Sequence, residues 1–384
     1  MPDFVEVQLR RKPARAWPRR IVISTLFDPL SLGALELPNR IIMAPLTRGR
    51  ADRAGVHGPL AVDYYRQRAS AGLIISEATG ISREGLGWPY APGLWTAEQV
   101  EGWKPVTAAV HDAGGRIVAQ LWHMGRLVHS SLGGGQPVSS SATTAPHHAH
   151  TYDGNQPYEE ARPATIDDIE RIVGDYVTAA RMAMTAGFDG VQIHAANGYL
   201  IDQFLRASDN HREDDFGGSI DNRMRLALRV IDAVAGEVGI ERTGIRFSPN
   251  TLSQGIDDPA PEPLFVALGR ALEARRVPWI ELREPGLDST FGAPSHPPVS
   301  PAMRPIYSGR IVLNSDYVGD TAQARLEEGV ADAIAFGRPF IANPALVERL
   351  RKQAPLSPAN PKTFYSRGPE GYTDYPAHPE QVAA

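Results

Sequence analysis

Cysteine is absent from all 384 residues, which removes structural disulfides, cysteine metal sites and thiol catalysis together. Long apolar runs are missing too, since none approaches the ~18 residues of a membrane-spanning helix. Nor is charge of one sign in excess: 39 Lys and Arg face 44 Asp and Glu, a net charge of −5. Such a chain has no sequence-independent attraction for phosphate backbones or anionic lipids, so neither nucleic acid nor a membrane is an expected partner. With 42% hydrophobic and 22% charged residues, the composition is that of an ordinary globular protein. A disulfide-free protein of this kind suits the cytoplasm.

What is present is a rhythm. Eight short apolar runs recur: Arg40 to Ala44, Leu73 to Ala78, Ile117 to Trp122, Gly190 to Ala195, Gly244 to Ser248, Trp279 to Leu282, Arg310 to Asn314 and Ala333 to Gly337. Segments with helical spacing separate them. The clearest runs from Thr165 to Ala186, with Thr165 and Asp168 as a capping-box start, one face of Ile169, Ile172, Val173, Tyr176, Val177, Ala180 and Met184, and Gly187 as the stop. Strand alternating with helix eight times predicts an α/β fold, a parallel sheet closed into a (β/α)8 TIM barrel in a single domain. A doubly wound open sheet is the alternative. It is disfavoured because the first strand leads into Pro45-Leu46-Thr47-Arg48 rather than a glycine-rich dinucleotide fingerprint.

Around that barrel, Leu32 to Leu37 reads as an N-terminal hairpin able to plug one end. His129 to Arg162, rich in Ser, Gly, Pro and His, reads as a long connection after the third strand that shapes a site mouth. Residues 1–24 carry Arg10, Arg11, Lys12, Arg15, Arg19 and Arg20, but Asp3 and Glu6 interrupt them and no apolar signal core follows. They read as a disordered basic extension, or as a start placed too early. Residues 25–376 then form the barrel domain and 377–384 a C-terminal tail.

The most informative stretch is Gly190 to Leu200, where a buried-strand pattern ends in His194, Asn197 and Tyr199. His194 and Asn197 can donate hydrogen bonds to one substrate oxygen, and Tyr199 carries a transferable proton. Taken alone, His194 reads more readily as a satisfied buried histidine. In a barrel, however, the C-terminal strand ends converge on one pocket. That pocket gathers Pro45 to Thr47, Glu77 and Ala78, Gln120 and Trp122, Arg246, Arg283 and Glu284, Ser315 and Asp316, and Gly337 with Arg338. The set lacks paired carboxylates and a metal-ligand cluster, and is rich in neutral donors, aromatics and arginine. It suits a large, planar, anionic cofactor better than a metal or a glycosidase dyad. Arg246, inside the apolar Ile245-Arg246-Phe247, must be paired or face a charged ligand. Gly337-Arg338-Pro339 sits at the usual phosphate corner after the last strand, where Arg338 grips phosphate or serves as a surface ion-pair partner.

These residues carry a resemblance. Ala44-Pro45-Leu46-Thr47-Arg48, Gln120-Leu121-Trp122, His194-Ala195-Ala196-Asn197-Gly198-Tyr199-Leu200, Phe216 to Arg223 and Phe336-Gly337-Arg338-Pro339, in that order, resemble the old yellow enzyme family of flavin-dependent ene-reductases. The resemblance covers about Leu26 to Pro376. It implies a barrel holding non-covalent FMN, reduced by NADPH or NADH, that saturates electron-poor alkenes and binds phenols as inhibitors, as a monomer or homodimer. By that resemblance Thr47 hydrogen-bonds the flavin near N5, Gln120 its pyrimidine edge and Arg246 its N1 side. Pro45, Leu46, Ala78, Asn314, Ser315, Asp316, Phe336, Gly337 and Arg338 complete the cradle. His194 and Asn197 bind the substrate's carbonyl or nitro oxygen, and Tyr199 protonates the α carbon after hydride reaches the β carbon. Threonine at position 47 resembles the branch without cysteine there.

Asp316 stands where relatives usually carry glycine near the phosphate, so its side chain is expected to turn away while its amide serves. Arg283 has no assigned role. Trp88, Trp122, Phe291 and Tyr375 are candidates for the pocket wall, although aromatic residues in a barrel are as often packing. His147, His148 and His150 read as solvated loop histidines, and no metal is expected. Two other functions stay in view: a flavin-binding barrel acting as a sensor or scavenger, and a metal-dependent barrel hydrolase. The intact His194, Asn197 and Tyr199 set argues against the first, and the missing histidine and carboxylate cluster against the second.

Overall fold

The computed structural model describes residues 24–286, 289 and 294–376; Phe291, residues 1–23 and the tail 377–384 lie outside them. Eight parallel strands form the barrel: β1 (Ile41–Met43), β2 (Leu73–Ile75), β3 (Ile117–Trp122), β4 (Gly190–His194), β5 (Thr243–Phe247), β6 (Trp279–Arg283), β7 (Arg310–Asn314) and β8 (Ala333–Phe336). Each pairs with the next, and β8 pairs with β1 to close the ring. All eight expected runs carry a strand. The second ends three residues early, because the Glu77 carboxylate turns back to accept the amides of Arg48 and Gly49.

Register decides which polar side chains meet inside. Gln192 of β4 lies opposite Gln120 of β3, His194 opposite Arg246 of β5, and Arg246 opposite Glu281 of β6. With a period of two along each strand, these residues share the inward face.

Helices cover the outside. The longest, Ile166–Thr185, starts in the expected capping box, where Thr165 accepts from the amide of Asp168 and Asp168 from that of Thr165. Its buried Ile169, Ile172, Val173, Tyr176 and Ala180 face the sheet. At the opposite end from the site, Leu30–Leu32 and Leu35–Leu37 form the expected hairpin. Its leucines pack on Ile42, Leu73, Ile75, Val118 and Trp279, which seals the barrel floor. Gly33 turns it at a φ of +59°, where a Cβ would lie 2.1 Å from the Glu241 carbonyl oxygen.

The connection 129–162 is more ordered than its composition suggests. His148–Thr151 and Gly154–Pro157 pair as an antiparallel hairpin, and Val138–Ser139 pairs with Arg162–Pro163. His148 and His150 are exposed on it, and no group of three or more potential metal ligands exists among the described residues. No described helix is long and apolar enough to cross a membrane.

The chain after β8 returns to the site mouth and is tied there by buried arginines. Arg50 donates to the carbonyls of Thr363, Phe364, Gly368 and Glu370, and Arg48 to those of Phe364 and Gly371. Tyr372 stacks on Tyr64 at 4.1 Å between ring centres.

Candidate active site

A cavity of about 1200 Å³, counting its open mouth, lies at the C-terminal ends of the strands. Pro45, Leu46 and Thr47 enter it from the loop after β1, and Ala78 from the turn after β2. Gln120 and Trp122 come from β3; His194, Asn197 and Tyr199 from the end of β4; Arg246 from β5. Asn314 ends β7 and Ser315 and Asp316 follow it, while Phe336 ends β8 and Gly337 and Arg338 follow it.

Two of the expected wall residues are elsewhere. Trp88, in the loop after β2, does not line the cavity: it is half-buried and packs on His150 and on Tyr365, the latter at 4.9 Å between ring centres. Tyr375 does not reach the cavity either: its hydroxyl accepts from the amide of Asn360 within the returning segment. In their place that segment supplies Phe364 and Tyr365, which the sequence reading missed, and β6 supplies Arg283. Nothing periodic marks 364 and 365 as wall residues. They are carried there by arginine contacts with backbone carbonyls, which any residue type offers.

The turn after β4 is built to aim donors. Asn197 adopts a left-handed φ of 59°, tolerable for asparagine, and its amide donates to the Ser248 hydroxyl at 2.7 Å. Gly198 follows at +81°, where a Cβ would come within 2.7 Å of the Ser253 carbonyl oxygen. The amide of Ala196 donates to His194 Nδ1 at 3.3 Å, so the ring's proton belongs on Nε2. Burial, followed by the nearby Arg246 and Arg283, holds His194 well below its ordinary pKa and therefore neutral. Arg283 donates to Asn197 Oδ1 at 3.1 Å. Because a guanidinium only donates, this contact assigns the amide orientation and leaves Asn197 Nδ2 for the cavity. The Tyr199 ring stands edge-on to both His194 and Trp122, at 4.9 Å from each. Burial raises its phenol above the ordinary value, so it stays protonated at neutral pH.

Beneath these groups runs a buried polar chain. Gln120 Nε2 donates to Gln192 Oε1 at 2.7 Å, and Gln192 Nε2 to Glu281 Oε2 at 2.7 Å. Glu281 Oε1 is 3.2 Å from Arg246 Nε, and Arg246 Nη2 donates to Asn314 Oδ1 at 2.8 Å. Asn314 is thus a support for Arg246 as well as a wall residue. Gln120 Oε1 and the Thr47 hydroxyl have no hydrogen-bond partner among the described residues.

At the corner after β7 and β8, Asp316 does not turn away as expected. Its carboxylate lies 3.8 Å from Arg338 and accepts from the Ser289 hydroxyl at 3.0 Å. The carboxylate thus faces the arginine and the serine hydroxyl, both of which favour its charged form.

Set beside known proteins, the chain matches a model of the NADH:flavin oxidoreductase / NADH oxidase family over residues 25–357. It is 55% identical to the old yellow enzyme homologue from Zymomonas mobilis, with a TM-score of 0.92 over 92% of this chain and 100% of that one. Morphinone reductase, in a structure with tetrahydroNAD, is 46% identical, with a TM-score of 0.88 over 92% of this chain and 98% of its own. 12-Oxophytodienoate reductase 2 of Arabidopsis thaliana is 39% identical over 360 residues, covering 92% of this chain and 95% of the relative.

Proposed function

Because the chain belongs to the NADH:flavin oxidoreductase / NADH oxidase family and is of the old yellow enzyme type, we propose that it holds FMN non-covalently and that Tyr199 supplies the proton when an electron-poor alkene is reduced. The donor set suits that group. Gln120 offers an open acceptor beside an N–H, Thr47 an open hydroxyl, and Arg246 a cation, an arrangement matched to the polar edge of a flat, electron-accepting ring. Arg338 would meet its phosphate, with Asp316 as the arginine's partner. When bound, FMN supplies two-electron chemistry, taking hydride from NADH or NADPH and giving it to the alkene. Thr47 in place of cysteine aligns the chain with the threonine-bearing branch.

The observation that carries the reading is the pair of oriented donors. His194 Nε2–H and the Asn197 amide N–H are both turned into the cavity by neighbours that leave each only one role. Together they bind the carbonyl or nitro oxygen and stabilise the negative charge that grows on it as hydride arrives at the β carbon. Tyr199 keeps its proton until then and passes it to the α carbon, so the substrate gains one hydride and one proton across its double bond. The same two donors suit the carboxamide oxygen of a nicotinamide, which lets reductant and alkene use the cavity in turn. Morphinone reductase and 12-oxophytodienoate reductase bear names of α,β-unsaturated ketone substrates, which supports this class here.

An absorption spectrum of the desalted protein, repeated anaerobically with NADPH and then cyclohexenone, tests the reading. Flavin bands should bleach with the nicotinamide and return with the enone. A protein that stays colourless after incubation with FMN would overturn it.

A further inference from the structure

We propose that Glu281 is a positioning residue that lowers the electron affinity of the flavin site, by partly neutralising Arg246 from inside the barrel and by fixing the orientation of Gln120 through Gln192. The inference rests on the reading that the cavity holds FMN. Glu281 touches neither cavity nor solvent and takes no part in the mechanism above. A buried carboxylate is costly unless it is paired and hydrogen-bonded, and here the pairing is specific. One oxygen lies 3.2 Å from Arg246 Nε, an ion pair without hydrogen-bond alignment, and the other accepts from Gln192 at 2.7 Å.

Each arm has a consequence. A carboxylate only accepts, so Gln192 must turn its Nε2 toward Glu281 and its Oε1 toward Gln120. Gln120 must then donate to Gln192, which leaves its own Oε1 for the cavity. Burial pushes the Glu281 pKa up while Arg246 and the bond from Gln192 pull it down, and in its carboxylate form this one group sets the polarity of an amide two side chains away. The other arm is electrostatic. Arg246 lines the cavity and would face the ring edge on which reduction of a bound flavin places negative charge, and a carboxylate against its Nε side would remove part of that stabilisation. Asn314, on the far side of the guanidinium, is neutral and does not compensate. A bound flavin is consequently harder to reduce and a stronger hydride donor than the same site with Arg246 unopposed, which suits alkenes that are poor acceptors.

The test compares holoenzymes. The midpoint potential of bound FMN is measured by equilibration with a reference dye, and its dissociation constant by flavin fluorescence, in the wild-type protein, Glu281→Gln and Gln192→Leu. Glu281→Gln should shift the two-electron equilibrium about tenfold toward the reduced form, about 30 mV upward. Gln192→Leu, which leaves the Glu281–Arg246 pair in place, should keep the potential and weaken FMN binding about tenfold. A Glu281→Gln potential equal to or below that of the wild type overturns the electrostatic arm. If Glu281→Gln does not fold, Gln192→Leu decides, since unchanged FMN affinity would overturn the orienting arm. A wild-type protein that binds no FMN would overturn the flavin reading and this inference together, whereas normal wild-type binding with unshifted variants overturns only the inference.

Discussion

His194, Asn197 and Tyr199 differ in what a substitution should remove. The first two stabilise charge on an oxygen, so His194→Ala combined with Asn197→Ala should weaken binding of phenols, which present such an oxygen, by about tenfold or more. Titration of the flavin spectrum with a phenol measures it, and unchanged affinity would take both residues out of the oxygen site. Tyr199 acts later. Tyr199→Phe should slow the alkene half-reaction about 10²-fold or more while reduction by NADPH proceeds at nearly the wild-type rate. Rapid mixing separates the two half-reactions, and equal losses in both would contradict a proton-donor role. Arg283 shows what one sequence does not reveal. Its contact with Asn197 joins residues 86 positions apart, and no local pattern distinguishes an arginine that orients an amide from one that meets solvent.

Among the elements, the strands were legible because burial on both faces writes a continuous apolar run, and their C-terminal ends located most of the cavity wall. Gln192 and Glu281 were harder to see. Each reads as a polar interruption of an apolar strand, and only the register across β3 to β6 joins them into a chain. The segment after β8 was illegible for another reason: it has little regular structure, and its place depends on Arg48 and Arg50 meeting backbone carbonyls. That dependence can be measured. Arg50→Met leaves four carbonyls of the segment, that of Thr363 buried and the rest part-buried, without this donor and should destabilise the protein by about 2–3 kcal/mol. It should also bring forward proteolytic cleavage between residues 363 and 376. Wild-type protease resistance and an unshifted unfolding midpoint would mean that the segment is held by packing alone.

For the molecule as a whole, closure of the barrel places a neutral histidine in an interior that resists its charging. The His194 pKa is depressed from an ordinary 6.5, so below that pH the unfolded chain takes up a proton that the folded protein refuses. Stability should therefore fall as pH drops from about 6.5 toward the depressed folded value, by up to ~1.4 kcal/mol per pH unit. Urea unfolding at about pH 7 and about pH 5.5 should show this loss, and His194→Gln should lessen it. Identical slopes in the two proteins would place its origin elsewhere.

The arginine-tied segment that brings Phe364 and Tyr365 to the cavity also imposes an order of events. A ribosome makes it after every barrel strand, so the last strand can close the ring while the mouth still lacks those two rings. The strands alone thus enclose a cavity with a wider mouth than the finished protein presents.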